Sequence, residues 1–88
     1  MKIVNRAVAG TLESSDVYVE ISPGGAVQIE IESPVSAQFG DSIMQSVREI
    51  LDGFGIKGAS VVLKDRGALD CTIRARVETA VRRALKEA

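Results

Sequence analysis

The chain has 88 residues, which is the size of one domain. Its 11 basic and 12 acidic residues give a net charge of −1, which argues against nucleic acid as the main ligand because phosphate binding needs a clear basic excess. There is no histidine and only one cysteine, so Ser-His-Asp and Cys-His catalysis, an internal disulfide and a clustered zinc site are excluded within the chain.

Membrane insertion and export are not indicated by the sequence. No apolar run approaches the roughly 20 residues of a membrane-spanning helix. The first ten residues, MKIVNRAVAG, lack the apolar segment typical of a signal peptide. Together with the single thiol of Cys71, these features predict a cytoplasmic protein with no membrane partner.

The first half of the chain predicts a polar loop followed by two strands. Residues 10–16 are polar, whereas residues 17–21 and 27–32 alternate apolar and polar side chains with the period of a half-buried strand. The intervening segment SPGGA has the proline and glycines of a tight turn, so we expect a β-hairpin over residues 17–32. Residues 2–9 either add an edge strand or remain irregular.

The second half predicts a helix at about 34–53, a strand at 59–65 and a helix at about 68–86. A short strand at 68–72 is the competing interpretation for the start of the last segment. The core is expected to be aliphatic, because aromatics make up only 3% of the chain. The expected core positions are Val17, Val19, Ile21, Val27, Ile29, Ile31, Phe39, Ile43, Val47, Leu51, Leu69, Ile73, Val77 and Val81.

This element order predicts an α+β fold in a single domain over residues 1–88. We expect a two-layer sandwich in ββαβα order, with a small antiparallel sheet of about three to four strands and two helices packed on one face.

Ser14 and Ser15, between Glu13 and Asp16, are the first candidate site. One interpretation is a turn in which these side chains bond to nearby backbone amides. The other is a serine in a flexible, accessible loop that an enzyme modifies covalently. Neighbouring carboxylates alone do not activate a hydroxyl, so a catalytic serine is disfavoured.

The arginines of the last helix are the second candidate. They form either a solvated face whose charge suits a helix C-terminus or a docking surface for an acidic partner or a phosphate group. The residues in question are Arg74, Arg76, Arg82 and Arg83.

Two long segments resemble a known family. AGTLESSDV near the N-terminus and KDRGALDCTIRARVETAVRRA near the C-terminus are similar to the acyl carrier protein, or gamma chain, of citrate lyase, as is QFGD in the first helix. The resemblance covers nearly the whole chain. It implies a carrier and not an enzyme.

The resemblance also implies a site, a cofactor and partners. In that family the serine after TLE carries 2′-(5″-phosphoribosyl)-3′-dephospho-CoA through a phosphodiester, and this position is Ser14. Ser15 falls where relatives can carry glycine. The carrier would present acetyl and citryl thioesters to the alpha and beta subunits during cleavage of citrate to acetate and oxaloacetate, after a transferase has attached the group.

Two alternatives remain open at this point. The chain also resembles the acyl carrier subunit of malonate decarboxylase, which bears the same kind of arm. From another class, it could be a small regulatory or binding α+β module in which Ser14 is unmodified.

Overall fold

The computed structural model describes residues 3–34 and 36–85, except for the side chains of residues 36–38. The elements in chain order are β1 (Ala7–Gly10), β2 (Val17–Ser22), β3 (Val27–Glu32), α1 (Ser36–Gly53), β4 (Ala59–Asp65) and α2 (Asp70–Leu85). The predicted α+β class and all the predicted strands are confirmed. β1 shows that the N-terminal segment does add an edge strand.

The helix boundaries differ from the prediction by about two residues. α1 runs from Ser36, and residue 35, within the predicted start, lies outside the described residues. α2 begins at Asp70, so the alternative strand at 68–72 is wrong. Its predicted end near residue 86 also lies outside the described part of the chain.

The sheet is mixed and has the strand order β1-β2-β4-β3. β2 pairs antiparallel with both β1 and β4, whereas β3 pairs parallel with β4. The predicted hairpin over residues 17–32 is therefore wrong, because β4 lies between its two strands. The real hairpin joins β1 to β2 through residues 11–16. The expected all-antiparallel sheet is wrong for the same reason, since β3, α1 and β4 form a parallel crossover unit.

Glycines allow the β2–β3 connection to cross over the start of β4 instead of folding back. The amide of Ala59 donates a hydrogen bond to the carbonyl of Ala26 at 3.2 Å. A Cβ atom at Gly58 would lie 2.3 Å from the carbonyl oxygen of Gly24, which is too close for any side chain. The PGG segment thus makes a crossing, not a hairpin turn.

The core lies between the two helices and one face of the sheet. Alternate residues of β2 are buried, as its period-two pattern predicts, and β4 shows the same alternation of buried and half-buried residues. They join buried residues of both helices in one aliphatic cluster, so the two helices pack on the same face. Buried members include Val17, Val19, Ile21, Val61, Leu63, Ile43, Val47, Leu51, Ile73, Val77 and Val81. Val27, Ile29 and Ile31 of the edge strand β3 are partly buried against this cluster.

Two predicted core positions are wrong. Phe39 in the first turns of α1 is 54% exposed, and Leu69 is 72% exposed. Leu69 precedes α2 and so does not share that helix's inward face. Both line a shallow surface groove with Ile43, Ala68 and Ile73. Across residues 3–34 and 36–85, neither helix is long and apolar enough to span a bilayer.

Candidate functional site

The two adjacent serines lie in the loop that joins β1 to β2. Ser14 and Ser15 are both exposed. Backbone at two points of the loop takes the left-handed conformation, with φ of 85° at Gly10 and 66° at Ser15. Gly10 cannot be replaced without a shift, because a Cβ there would lie 1.8 Å from the carbonyl oxygen of Val17. The chain therefore changes direction at the end of β1 and again directly after Ser14.

Asp16 holds this loop through four hydrogen bonds. One carboxylate oxygen, Oδ2, accepts from the Thr11 hydroxyl at 2.6 Å and from Nη2 of Arg76 at 3.1 Å. The other, Oδ1, accepts from the Val17 amide at 2.7 Å and from Nε of Arg76 at 3.2 Å. The carboxylate thus ties the start of the loop to its end, and both to α2.

These bonds keep Asp16 ionised. The hydrogen bond from Thr11, followed by those from the Val17 amide and Arg76, lowers the pKa of Asp16 from its ordinary value of 3.8 to about 2. Partial desolvation opposes this change but does not outweigh it. The loop consequently contains a fixed negative charge throughout the neutral pH range.

Backbone hydrogen bonds anchor the loop to the segment that follows β4. The amide of Ser15 donates to the carbonyl of Arg66 at 2.8 Å, and the amide of Arg66 donates to the carbonyl of Asp16 at 2.9 Å. They extend the β2–β4 pairing beyond Val17 and its partner Asp65. The amide of Asp16 also donates to the carbonyl of Glu13 at 3.1 Å, which closes a turn around Ser14.

Asp65 fixes the segment to which the loop is anchored. Its side chain is buried, with 1% of the residue exposed, and it accepts from the Ser33 hydroxyl at 2.7 Å. It also accepts from the amides of Gly67 and Ala68 at 3.1 and 2.8 Å. The composition of the loop predicts a flexible segment, but the structure gives it an ordered hydrogen-bonded support.

Ser14 differs from Ser15 in how the backbone holds it. Among the described residues, no hydrogen bond to either hydroxyl is found. Ser15 has a bonded amide and a positive φ, which is unfavourable for any residue with a Cβ and favours glycine. This conformation gives a physical reason for the glycine that the resemblance places at this position. Ser14 is left at the exposed tip of the turn.

The four arginines proposed for docking point to four separate places. Arg76 binds Asp16, whereas Arg74 pairs with both Glu49 on α1 and Asp70. Arg82 pairs with Glu78 at 2.7 Å, and its guanidinium carbon lies 5.2 Å from the centre of the Phe54 ring. Arg83 donates to the carbonyl of Val8 at 2.8 Å. All four have partners within the chain, and docking by them stays a prediction.

The sequence analysis did not identify the residues that hold the loop in place, although local signals exist for some of them. Thr11 and Asp16 lie in one short polar loop. Asp65 ends a strand two residues before a glycine, a pattern typical of a side chain that bonds backbone amides. The pairing of Asp16 with Arg76 has no local signal, since sixty positions separate the two residues. Within the parts of the chain that the structure describes, no cluster suited to a metal ion occurs.

Comparison with known proteins identifies the family. A citrate lyase acyl carrier protein from Haemophilus influenzae (strain PittEE) is 54% identical over 87 residues, covering 99% of this chain and 92% of the relative. The chain belongs to the citrate lyase acyl carrier protein family. A second citrate lyase acyl carrier protein, from Treponema denticola, is 49% identical and covers 96% of this chain and 97% of its own length. The resemblance inferred from the sequence is confirmed.

The chain also matches a malonate decarboxylase family model and a malonate decarboxylase structure. A family model described as malonate decarboxylase delta subunit (MdcD) matches residues 4–84. The crystal structure of a Pseudomonas malonate decarboxylase hetero-tetramer in complex with malonate contains a chain that superposes with a TM-score of 0.71. That match covers 96% of this chain and 88% of the other at 22% identity, so it supports the fold alone.

Membership of this family makes the chain a carrier subunit and not an enzyme, as predicted. An acyl carrier protein works through a covalently attached prosthetic group.

Proposed function

We propose that Ser14 bears 2′-(5″-phosphoribosyl)-3′-dephospho-CoA through a phosphodiester. The observation that carries this proposal is the position of Ser14, which is exposed at the tip of an anchored loop. In this proposal the carrier works in the cytoplasm with the citrate lyase alpha and beta subunits. It serves the cleavage of citrate to acetate and oxaloacetate.

The residues around Ser14 fit such a group. The attachment needs a hydroxyl that a separate enzyme can reach, and Ser14 is exposed and makes no hydrogen bond within the described residues. Arg66 contacts Ser15 and Asp16, the two residues that follow Ser14, through its backbone, and Arg76 contacts Asp16 through its guanidinium. The guanidinium charge of Arg76 offsets that of Asp16, which reduces the repulsion that a phosphodiester anion would meet there.

The carrier itself supplies position and not reactivity. The chain has no histidine, and in the described residues no basic group hydrogen-bonds to the Ser14 hydroxyl. The base that removes the serine proton therefore belongs to the transferase. When attached, the prosthetic group supplies a thiol that holds acetyl and citryl units as thioesters. The tether keeps that thiol at a high local concentration, in the mM range for a short flexible link, near each partner subunit.

The test is a parallel maturation of Ser14→Ala and Ser15→Ala with the transferase, its activated precursor and the two catalytic subunits. We expect Ser15→Ala to gain the mass of the group and to support citrate cleavage after acetylation. Ser14→Ala should gain no mass and support no cleavage. Both variants should melt close to the wild type, because surface substitutions usually change stability by less than about 0.5 kcal/mol.

Two results would overturn the proposal. Loading of Ser14→Ala but not of Ser15→Ala would move the attachment to Ser15. Loading of both variants would place it outside this loop. Peptide fragmentation of the loaded wild-type carrier gives an independent assignment of the modified residue.

A malonate decarboxylase carrier is the second candidate, supported by the family model that matches residues 4–84. The identity of 54% to a citrate lyase acyl carrier protein favours the first. Loaded carrier mixed separately with the catalytic subunits of each enzyme distinguishes them. Only the cognate mixture should consume its substrate, citrate or malonate.

A further inference from the structure

We propose that Arg76 is a positioning residue for the modification of Ser14, acting through Asp16. The inference rests on the proposed attachment at Ser14. Arg76 belongs to α2, yet its guanidinium binds both oxygens of the Asp16 carboxylate, two residues after Ser14. It is the one of the four α2 arginines that contacts this loop within the described residues.

The contact between Arg76 and Asp16 fixes the orientation of the Asp16 carboxylate. Two parallel hydrogen bonds from a planar guanidinium hold a carboxylate against rotation, which a single bond or a lysine cannot do. The same carboxylate accepts from Thr11 and from the Val17 amide, so its orientation sets where the loop begins and where it ends. Ser14 lies between these two attachment points.

The stem of Arg76 also packs against the beginning of the loop. Its Cδ lies 3.3 Å from the place where a Cβ of Gly10 would be, and Gly10 has a positive φ. Glycine at this position lets the arginine stem lie over the end of β1 while the guanidinium reaches Asp16. The Arg76 side chain thus contacts both ends of the loop of residues 11–16, the serine loop.

This arrangement suits positioning better than it suits stability or docking. The side chain of Arg76 is 41% exposed, and ion pairs this exposed contribute little to the free energy of folding. The Asp16 side chain is only 15% exposed and faces the loop, so it offers little surface to a partner. The main effect of the pair is therefore local, on the geometry of residues 11–16.

Transfer of the prosthetic group to Ser14 is sensitive to the geometry of residues 11–16. The Ser14 oxygen loses its proton to a base of the transferase and forms a bond to phosphorus. At the same time the bond from phosphorus to a polyphosphate leaving group of the activated precursor breaks, and the leaving group takes the electron pair. A misplacement of about 1 Å of a reacting atom can lower such a rate by about 100-fold.

The experiment compares Arg76→Gln with Arg6→Gln as a matched control. Arg6 also forms an exposed ion pair, with Glu20, but it precedes β1 at the end away from the serine loop. Steady-state loading of the apo carrier by the transferase gives kcat and KM for each variant. For Arg76→Gln we expect kcat to fall about tenfold or more, with KM within about twofold of the wild type. Arg6→Gln should match the wild type in both.

Hydrogen exchange gives a readout that does not depend on loading. Arg76→Gln should speed exchange at the amides of Ser15 and Asp16, which are hydrogen-bonded in the loop, and leave the amide of Leu63 in β4 unchanged. Arg76→Lys keeps the charge but not the two-pronged contact, so it should restore only part of kcat.

Several results would overturn the inference. One is a wild-type kcat in Arg76→Gln. Another is a raised KM with unchanged kcat in Arg76→Gln, which would make Arg76 a docking residue. A third is a loss of kcat in Arg6→Gln equal to that in Arg76→Gln. If Arg76→Gln does not fold, Asp16→Asn replaces it, and unchanged kcat there has the same meaning. Failure of the wild-type carrier to load at Ser14 would instead sink the proposed function. Loading at Ser14 with no effect of Arg76 sinks this inference alone.

Discussion

Two alanine substitutions in α1 test whether burial or helical periodicity sets the stability of this fold. Both Phe39 and Val47 fall on the apolar stripe that the sequence predicts. The structure separates them, since Val47 is 0% exposed and Phe39 is 54% exposed. The periodic pattern predicts the larger loss for the larger side chain, Phe39→Ala. The structure predicts the reverse order.

The magnitudes follow from the buried groups that each change removes. Val47→Ala deletes two methyl groups, about 1.6 kcal/mol of transfer free energy at ~0.8 kcal/mol each. The cavity adds to this, and the better helix propensity of alanine subtracts ~0.5 kcal/mol, for a net loss of about 2 kcal/mol. A fully buried phenylalanine would cost about 3–5 kcal/mol, but the exposed Phe39 should cost less than about 1 kcal/mol.

The assays are thermal unfolding and urea unfolding of the unmodified carrier, both monitored by far-ultraviolet circular dichroism. Val47→Ala should lower the melting temperature by about 8–16 °C in a domain of this size, and Phe39→Ala by only a few degrees. The denaturant slope should be the same for all three proteins, because the surface exposed on unfolding barely changes. A greater loss of stability in Phe39→Ala than in Val47→Ala would refute the placement of α1 on the sheet.

The other two predictions concern the serine loop. The Asp16 pKa is lowered from 3.8 to about 2 in the folded state, so its stabilising contribution is complete above about pH 4 and is lost as pH falls toward 2. The difference in melting temperature between the wild type and Asp16→Asn should therefore be constant at neutral pH and shrink below about pH 4; a difference that grows on acidification would contradict this. Ser15→Gly should stabilise the unmodified carrier by about 0.5–1 kcal/mol, since glycine relieves the positive φ of 66° but loses more chain entropy. Thermal melts check the sign of this stability change, and intact mass should show that the Ser15→Gly variant still accepts the prosthetic group.

Local patterns in the sequence were sufficient to predict the elements but not their order in the sheet. Alternation in β2 and β3 depends on neighbours within each strand, so it identified both of them, and β4 was also predicted as a strand. Pairing depends on residues far apart, and β4 lies between β2 and β3 although it follows both in the chain. The SPGGA segment has the composition of a hairpin turn, yet the contact of Gly58 with Gly24 shows that glycine here permits a crossing.

The apolar stripes gave the inward direction of each helix but not where burial begins. Ile43, Val47 and Leu51 are buried as predicted, whereas Phe39, one turn earlier, is exposed. Leu69 fits the stripe of α2 only if the helix starts before it, and the helix starts at Asp70. A period defines the phase of a helix, while its ends depend on what the rest of the chain places there.

The conformation of the serine loop depends on its own sequence and on contacts with distant parts of the chain. Ser14 could be chosen over Ser15 only through the family resemblance, because both are polar residues in one exposed turn. The contacts that distinguish them come from the segment after β4 and from α2. The backbone of Arg66 binds Ser15, and the side chain of Arg76 binds Asp16. The loop therefore reaches its final geometry only when β4 has paired with β2 and α2 has packed on the sheet. These contacts are all made by the polypeptide itself, so folding alone places Ser14 at the exposed tip of the loop.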